Sequence, residues 1–170
     1  MSSVAMNPSK PKRPALVQFV EFLLLQKFRE SGIECLLVGS VAANAYGGED
    51  PPKDLDVVVE YERQTWQRIL ALADDVDPQP GGVGTLQRDP ISFPTQMHVG
   101  FGRGLDVLSG FQHASFSDLY TRSEIGCVKV EGMDDLELTV RLAALSDLVE
   151  AWRARGQPRD LELIRRIGRG

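Results

Sequence analysis

Cysteine and histidine are scarce in this sequence, with two of each among 170 residues. Cys35 and Cys127 stand among apolar residues and form no CxxC pair, which excludes a disulfide framework and predicts buried free thiols. No apolar run approaches the roughly 20 residues of a membrane-spanning helix, and no apolar segment follows the basic start as a secretion signal requires. We therefore expect a cytoplasmic protein that does not enter a membrane.

An excess of positive charge is also missing. The formal net charge is −5, which argues against a protein that coats nucleic acid with its whole surface but allows a local basic patch. Hydrophobic residues make up 42% and charged residues 25% of the chain, an ordinary globular composition. A length of 170 residues suits one domain and is short for two. These values exclude disordered and fibrous proteins.

Composition divides the chain into a tail and a domain. Residues 1–13 are rich in Ser, Pro and Lys and contain little to bury, so we expect a flexible tail. Residues 14–170 alternate between helical and strand patterns, with C-terminal helices from about residue 144. This alternation predicts a single α/β (α+β) domain, in which helices flank a mixed β-sheet.

Hydrophobic spacing and turn residues predict the individual elements. Helices are expected at 14–32, 41–46, 62–73, 116–123, 146–155 and 158–167. Strands are expected at 33–38, 55–59, 96–101, 105–108, 128–130 and 136–142, the last two as a hairpin with its turn at 132–135. The Gly- and Pro-rich segment 77–94 contains a run from Gly81 to Thr85 that favours a loop, with a substrate lid as its functional alternative.

Two carboxylates flank one residue at the start of a predicted strand. Asp54 and Asp56 lie on either side of Leu55, and alternate residues of a strand share a face at about 7 Å spacing. Carboxylates on one face repel each other unless a cation or a proton lies between them. A divalent metal is the simplest neutraliser, and oxygen ligands suit Mg²⁺. The ordinary alternative is a turn cap at Asp54 and an exposed strand residue at Asp56.

A third carboxylate, Asp106, lies in the apolar strand predicted at 105–108, where an unpartnered charge is costly. If this strand lies beside the strand that carries Asp56, three carboxylates converge. Such a cluster is sufficient for two Mg²⁺ ions about 4 Å apart, the arrangement used in in-line phosphoryl transfer. Taken alone, Asp106 is equally compatible with an acid at a sheet edge.

Gly39 and Ser40 stand at the junction of a predicted buried strand and a short helix. The start of a helix presents unpaired backbone N–H groups that favour a phosphate, and glycine allows the backbone to approach closely. The Ser40 hydroxyl can donate to a phosphate oxygen, although the same pair also occurs in ordinary strand-to-helix turns. Lys53, beside the carboxylate pair, is either a further phosphate ligand or a solvated turn residue.

Together these residues resemble the signature of the polymerase-β-type nucleotidyltransferase superfamily. The run Leu36-Leu37-Val38-Gly39-Ser40 is followed, after thirteen residues, by Asp54-Leu55-Asp56-Val57. Within the superfamily the chain is most similar to small prokaryotic nucleotidyltransferases of toxin–antitoxin and abortive-infection systems. That similarity rests on the Ala-rich helix after Ser40, on Lys53 before the carboxylates and on the late stretch 156–161, and it covers about residues 15–167.

The resemblance implies a nucleotidyltransferase that moves a nucleoside monophosphate from an NTP to an acceptor hydroxyl. The residues implied as catalytic and metal-binding, with two Mg²⁺ ions, are Asp54, Asp56 and Asp106. The residues implied as binding the nucleotide phosphates are Gly39, Ser40 and Lys53. The acceptor is a tRNA, a protein or a small molecule, and the chain is then a candidate toxin with a cognate antitoxin, and a candidate homo-oligomer. Where the subgroup often carries a lysine before the late glycine, this chain has arginines in the run from Trp152 to Arg155.

A second hypothesis is a catalytically silent binding or regulatory module of the same fold, since the chain is short and has no separate substrate domain. Six arginines against two acids give positions 153–170 a formal charge of +4, which suits either a solvated helix face or a contact to RNA or nucleotide phosphates. His98 and His113 are interpreted as ordinary core or surface residues rather than as site residues.

Overall fold

The computed structural model describes residues 10–48, 52–78 and 96–168 of the chain. Within these ranges the strands form a mixed seven-stranded sheet and a separate two-stranded ribbon. In chain order the strands are β1 (Ala15–Val17), β2 (Leu36–Val38), β3 (Leu55–Val58), β4 (Gln96–Val99), β5 (Leu105–Leu108), β6 (Gly110–Phe111), β7 (Ala114–Ser115), β8 (Glu124–Val130) and β9 (Met133–Leu142). The predicted mixed sheet in a single domain is therefore confirmed.

Helices flank the sheet. In chain order they are α1 (Phe19–Glu30), α2 (Gly39–Ala45), α3 (Arg63–Val76), α4 (Phe116–Arg122), α5 (Leu145–Arg155) and α6 (Pro158–Ile167). Helix α1 packs against α3, α2 packs against β1 and β3, and α5 packs against α6. None of the helices within the described ranges has the length and apolarity needed to cross a membrane.

The order of strands brings the predicted site to the middle of the sheet. The order is β1-β8-β9-β2-β3-β5-β4, so β3 lies between β2 and β5. Strand β3 runs parallel to β5 and antiparallel to β2. All three residues of β2 are buried, as are Leu55, Val57 and Val58 of β3. Because apolar residues cover most of this surface, an acid on β3 or β5 lies in a poorly solvated place.

The first helix begins later than the spacing predicts. The expectation of a helix from Pro14 is wrong, because Ala15–Val17 forms the strand β1 and pairs in parallel with β8. Proline fixes φ but is compatible with extended backbone, so it does not force a helix. Helix α1 instead begins after Gln18, whose backbone N–H donates to the Glu21 carboxylate at 2.8 Å in a capping box.

The late hairpin is longer than expected. Strands β8 and β9 extend over Glu124–Val130 and Met133–Leu142, so residues 133–135, expected in the turn, belong to a strand. Gly132 has φ +79° and supplies the left-handed residue of a tight two-residue turn with Glu131. Both cysteines are free and partly buried: Cys127 lies on this hairpin, and Cys35 packs against the core.

The C-terminal helices form a hairpin of their own. Helix α5 ends at Gly156, which has φ +68°, and α6 begins with Pro158 in its first turn. A left-handed glycine after one helix and a proline at the start of the next give a sharp reversal. The bounds of α6 agree with the sequence-based expectation.

The described part of the N-terminal region contacts the end of α2. The backbone N–H of Lys12 donates to the Ala45 carbonyl at 2.9 Å, and the Arg13 guanidinium donates to the Asn44 carbonyl at 2.8 Å. These bonds satisfy carbonyls at the C-terminal end of a short helix. Residues 1–9 of the predicted tail and the predicted loop at 81–85 lie outside the described residues.

Candidate active site

Two carboxylates face each other across adjacent parallel strands. Asp56 of β3 is in register with Asp106 of β5, and Asp54 immediately precedes β3. Burial, followed by the charge and hydrogen bond of Asp106 and the charge of Asp54, raises the pKa of Asp56 to about 7. The structure therefore concentrates negative charge where it is poorly solvated.

Gly39 packs directly against this acid pair. A Cβ at position 39 would lie 2.2 Å from the Asp56 Oδ2 atom, and Gly39 has φ +62°. A side chain at this position is therefore excluded both by the carboxylate and by the backbone conformation. Since Gly39 is the first residue of α2, the start of that helix lies against the carboxylates.

The segment before the acids is tied to α2. The Ser40 Oγ accepts a hydrogen bond from the Lys53 backbone N–H at 3.1 Å. This bond links the start of α2 to the residue that precedes Asp54. The Lys53 side chain is exposed. Ser40 and Lys53 therefore lie next to each other, although they are 13 positions apart in the sequence.

A buried ion pair between α1 and Arg103 holds the backbone segment around Asp54. Glu21 is fully buried, and its carboxylate accepts two hydrogen bonds from the Arg103 guanidinium at 2.8 and 3.2 Å. Arg103 also donates to the Pro52 carbonyl. The Leu55 N–H in turn donates to the Gly104 carbonyl at 2.9 Å. These contacts connect α1 to the backbone on both sides of Asp54, and short-range sequence patterns give no sign of them.

A cavity of about 220 Å³ brings the predicted site residues together. All six of them line it: Gly39, Ser40, Lys53, Asp54, Asp56 and Asp106. Its remaining wall includes Trp152, Arg155 and Asp160 from the C-terminal helices. The cavity therefore combines carboxylates with a guanidinium group and the start of α2.

Arg155 is the site residue that the sequence indicated least clearly. Its guanidinium donates to both Asp160 oxygens, at 2.7 and 2.5 Å, and Asp160 is almost fully buried. The positive charge of Arg155 also opposes the rise in the Asp56 pKa. A fixed, fork-shaped donor beside three acids suits a phosphate group. In the sequence it is noted only as an arginine at a place where the resemblance leads us to expect a lysine.

Comparisons with known proteins are consistent with this geometry. No family model matches the chain, and no curated protein matches it. Among solved structures, it is similar to a lincosamide antibiotic adenylyltransferase, LnuA, crystallised with lincomycin bound, with a TM-score of 0.58 and 11% sequence identity. The alignment covers 91% of this chain and 98% of that one. The chain has a nucleotidyltransferase fold. At this identity the similarity establishes the fold and nothing further.

On this nucleotidyltransferase fold, His98 lies closer to the acids than its sequence context suggests. Its Nδ1 atom is 2.7 Å from Asp106 Oδ1, because His98 of β4 is in register with Asp106 of β5. The expectation of an ordinary strand residue therefore missed a direct contact with a candidate catalytic group. The sequence predicts β4 and β5 as neighbouring strands joined by a turn at 102–104, but only their register, which places His98 opposite Asp106, reveals the contact.

A second cluster, of two acids and a histidine, differs from the main cavity in its charge balance. His113, Asp147 and Glu150 have potential ligand atoms within 4.8 Å of one another. The Asp147 carboxylate, however, accepts two hydrogen bonds from Arg122 at 2.9 and 3.0 Å and lies 3.1 Å from His113 Nε2. Its charge is therefore already balanced, and the cluster fastens α4 and the β6–β7 ribbon to α5.

The carboxylates of the main cavity, in contrast, fit a divalent cation. Their three side chains offer only oxygen donors, and the raised Asp56 pKa reflects negative charge that the nearby Arg155 does not balance. Hard cations such as Mg²⁺ prefer this donor set. Asp54, Asp56 and Asp106 are the residues that would hold such an ion.

Proposed function

We propose that the chain is a Mg²⁺-dependent nucleotidyltransferase that moves a nucleoside monophosphate from an NTP to an acceptor hydroxyl. The observation that carries this proposal is the single cavity lined by Asp54, Asp56 and Asp106 together with Gly39 and Ser40. The fold shared with an adenylyltransferase supports the same general class of reaction.

The nucleotide phosphates bind at the start of α2. The backbone at Gly39 can approach a phosphate because no side chain intervenes, and the Ser40 hydroxyl can donate to it. Lys53 and Arg155 line the same cavity and supply positive charge from two directions. Arg155 is already oriented by Asp160, so little side-chain freedom is lost when it binds.

The transfer itself needs a base and an aligned acceptor. The acceptor hydroxyl oxygen forms a bond to the α-phosphorus, the bond from that phosphorus to the β-phosphate oxygen breaks, and pyrophosphate leaves with the electron pair. The hydroxyl proton passes to the Asp106 carboxylate, whose position is fixed by His98. When bound by the three carboxylates, Mg²⁺ supplies charge that offsets the triphosphate and lowers the pKa of the acceptor hydroxyl.

The acceptor candidates remain a tRNA, a protein or a small molecule. A tRNA or protein acceptor would suit a toxin with a cognate antitoxin. Growth of cells that express the wild-type chain or the Asp56→Asn variant tests that role. Arrest by the wild type alone supports a toxin, whereas equal growth contradicts it.

Transfer of label from an α-labelled NTP tests the proposed function. Purified protein is incubated with Mg²⁺, each α-labelled NTP and cell extract, beside an Asp54→Asn/Asp56→Asn double variant and an EDTA control. We expect label on an acceptor only with wild-type protein and Mg²⁺. Equal transfer by the double variant would contradict the mechanism. Stabilisation by Mg²⁺ and NTP without any transfer would favour a catalytically silent module.

A further inference from the structure

A second cleft opens from the same carboxylates toward the β6–β7 ribbon. It has a volume of about 460 Å³, and Asp56, Asp106 and Arg155 line both cavities. We call it the ribbon cleft; its own walls include Phe111 and His113 of the ribbon. The acid pair thus lies where two cavities meet; Gly39 and Arg155 border both, whereas Ser40 and Lys53 line only the nucleotide cavity.

The chemistry of the ribbon cleft differs from that of the nucleotide cavity. Leu108, Phe111, Leu148 and Ala151 give it apolar walls, and its polar side chains, beyond the acid pair and Arg155, are Gln96, Gln112 and His113. The Phe111 and His113 rings are stacked, with centroids 5.8 Å apart and planes 30° apart. Apolar walls with a few oriented polar groups, in a volume between roughly 300 and 1,000 Å³, are typical of small-molecule sites.

Charge argues against a polynucleotide in this cleft. Among the described residues that line it, Arg155 is the one Lys or Arg, and its guanidinium is engaged by Asp160. Polynucleotides are held mainly by cations that contact successive phosphates. The exposed carboxylate of Glu150, 3.6 Å from His113, adds negative charge nearby. An acceptor that fits these walls is therefore uncharged or cationic around its hydroxyl group.

In the stacked pair of Phe111 and His113, the histidine ring is held in place by the buried Asp147 carboxylate. His113 Nε2 lies 3.1 Å from the Asp147 carboxylate, which is buried and held by Arg122 through two hydrogen bonds. Buried, charge-assisted bonds of this kind limit rotation of the imidazole ring. The face that Phe111 and His113 present is thus preorganised before any ligand arrives, which lowers the entropic cost of binding.

We propose that the ribbon cleft binds the acceptor, and that this acceptor is a small hydroxylated molecule with an apolar or aromatic part that packs on Phe111 and His113. The proposal rests on the proposed function for its chemistry, since the acceptor hydroxyl must reach the acid pair. Of the three acceptor classes, tRNA, protein and small molecule, the proposal selects the small molecule.

Retention of low-molecular-mass compounds tests the cleft independently of transfer. Protein is equilibrated with the small-molecule fraction of a cell extract, separated by size, and the compounds that remain bound are identified by mass spectrometry. The Ala151→Phe variant fills the cleft, and Ala71→Phe, on the exposed face of α3, is the matched control. We expect a hydroxylated compound retained by wild type and Ala71→Phe and lost in Ala151→Phe.

Two further readouts separate this proposal from the proposed function. Stabilisation by Mg²⁺ and NTP should be unchanged in Ala151→Phe, because Ala151 does not line the nucleotide cavity. Absence of that stabilisation in the wild type would count against the proposed function alone. The cleft proposal is overturned if no hydroxylated compound is retained, if Ala151→Phe retains it equally, or if label moves to RNA or protein.

Discussion

Asp56 is the residue at which stability and function oppose each other. Its carboxyl is partly buried beside Asp106, and this burial together with the neighbouring acids raises its pKa to about 7. An unfolded chain would ionise the same group near its ordinary value of about 3.9. In the metal-free protein, the ionised acid pair therefore destabilises the fold, while the same charge density is what a divalent cation requires.

The raised pKa predicts a particular dependence of stability on pH. Because the folded-state pKa exceeds the unfolded value, the stability contribution of Asp56 is fully present below about pH 4 and is lost as pH rises through about 7. Thermal melts in EDTA between pH 4 and pH 8 measure this loss, which we expect to be on the order of 4 kcal/mol. The Asp56→Asn variant should lose less stability over the same range.

The same substitution should separate stability from activity. At pH 8 in EDTA, Asp56→Asn should melt at a higher temperature than the wild type because one buried charge is gone. It should also lose nucleotidyl transfer. A lower melting temperature in the variant at that pH would show that the carboxylate is stabilised in a way this account omits.

Gly39 offers a second prediction at the residue scale. In Gly39→Ala, the new methyl group would meet Asp56 Oδ2 at 2.2 Å, and the left-handed backbone adds strain of about 1–3 kcal/mol. Gly32→Ala is the matched control, since Gly32 has φ +70° but no atom within 4 Å of the added methyl. We expect both variants to be destabilised in urea, but only Gly39→Ala to lose stabilisation by Mg²⁺ and NTP. Equal loss in both would contradict a specific role for Gly39.

At the scale of elements, the junction of α5 and α6 depends on one ion pair. Arg155 is the last residue of α5, and its two hydrogen bonds to the buried Asp160 join it to the first turns of α6. Arg159 lies 4.0 Å from the same carboxylate, but its side chain is 62% exposed. Arg155 and Arg159 therefore differ in how much each stabilises the junction of α5 and α6.

Replacing each arginine by methionine tests this difference. Arg155→Met leaves a buried carboxylate without its main partner and should lower the free energy of unfolding by roughly 1–3 kcal/mol. Arg159→Met should change it by less than about 0.5 kcal/mol. Urea unfolding monitored by circular dichroism provides the comparison. Equal changes would indicate that Asp160 is satisfied in another way.

Individual elements could be predicted where the local pattern is unambiguous. The strand at 105–108 and the helix at 158–167 have the predicted bounds, because alternation and a proline start identify them locally. The predicted start of the first helix was wrong, because pairing of β1 with the distant β8 decides the conformation of Ala15–Val17. The ribbon of β6 and β7 was not predicted, since two-residue strands have no periodicity to detect.

At the scale of the whole molecule, the sequence predicted which residues carry the candidate chemistry but not what surrounds them. Asp54 and Asp56, predicted from strand spacing to share a face, both line the cavity, although Asp54 immediately precedes β3. The contacts of Glu21 with Arg103 and of His113 with Asp147 join segments far apart in the chain, whereas His98 and Asp106 lie eight residues apart on consecutive strands. Their partners follow from sheet order and helix packing, which no local pattern specifies. The ribbon cleft likewise depends on sheet order and helix packing, so local sequence patterns do not predict it.

Titration of a non-reactive NTP analogue tests the central claim most directly. An α,β-methylene NTP is titrated calorimetrically into the wild-type protein and into Asp54→Asn/Asp56→Asn, each with Mg²⁺ and with EDTA. Binding by the wild type in Mg²⁺ alone is the predicted result, because the carboxylates and the nucleotide phosphates require the same cation. Equal affinity in the double variant, or in EDTA, would contradict a metal-dependent nucleotide site at these carboxylates.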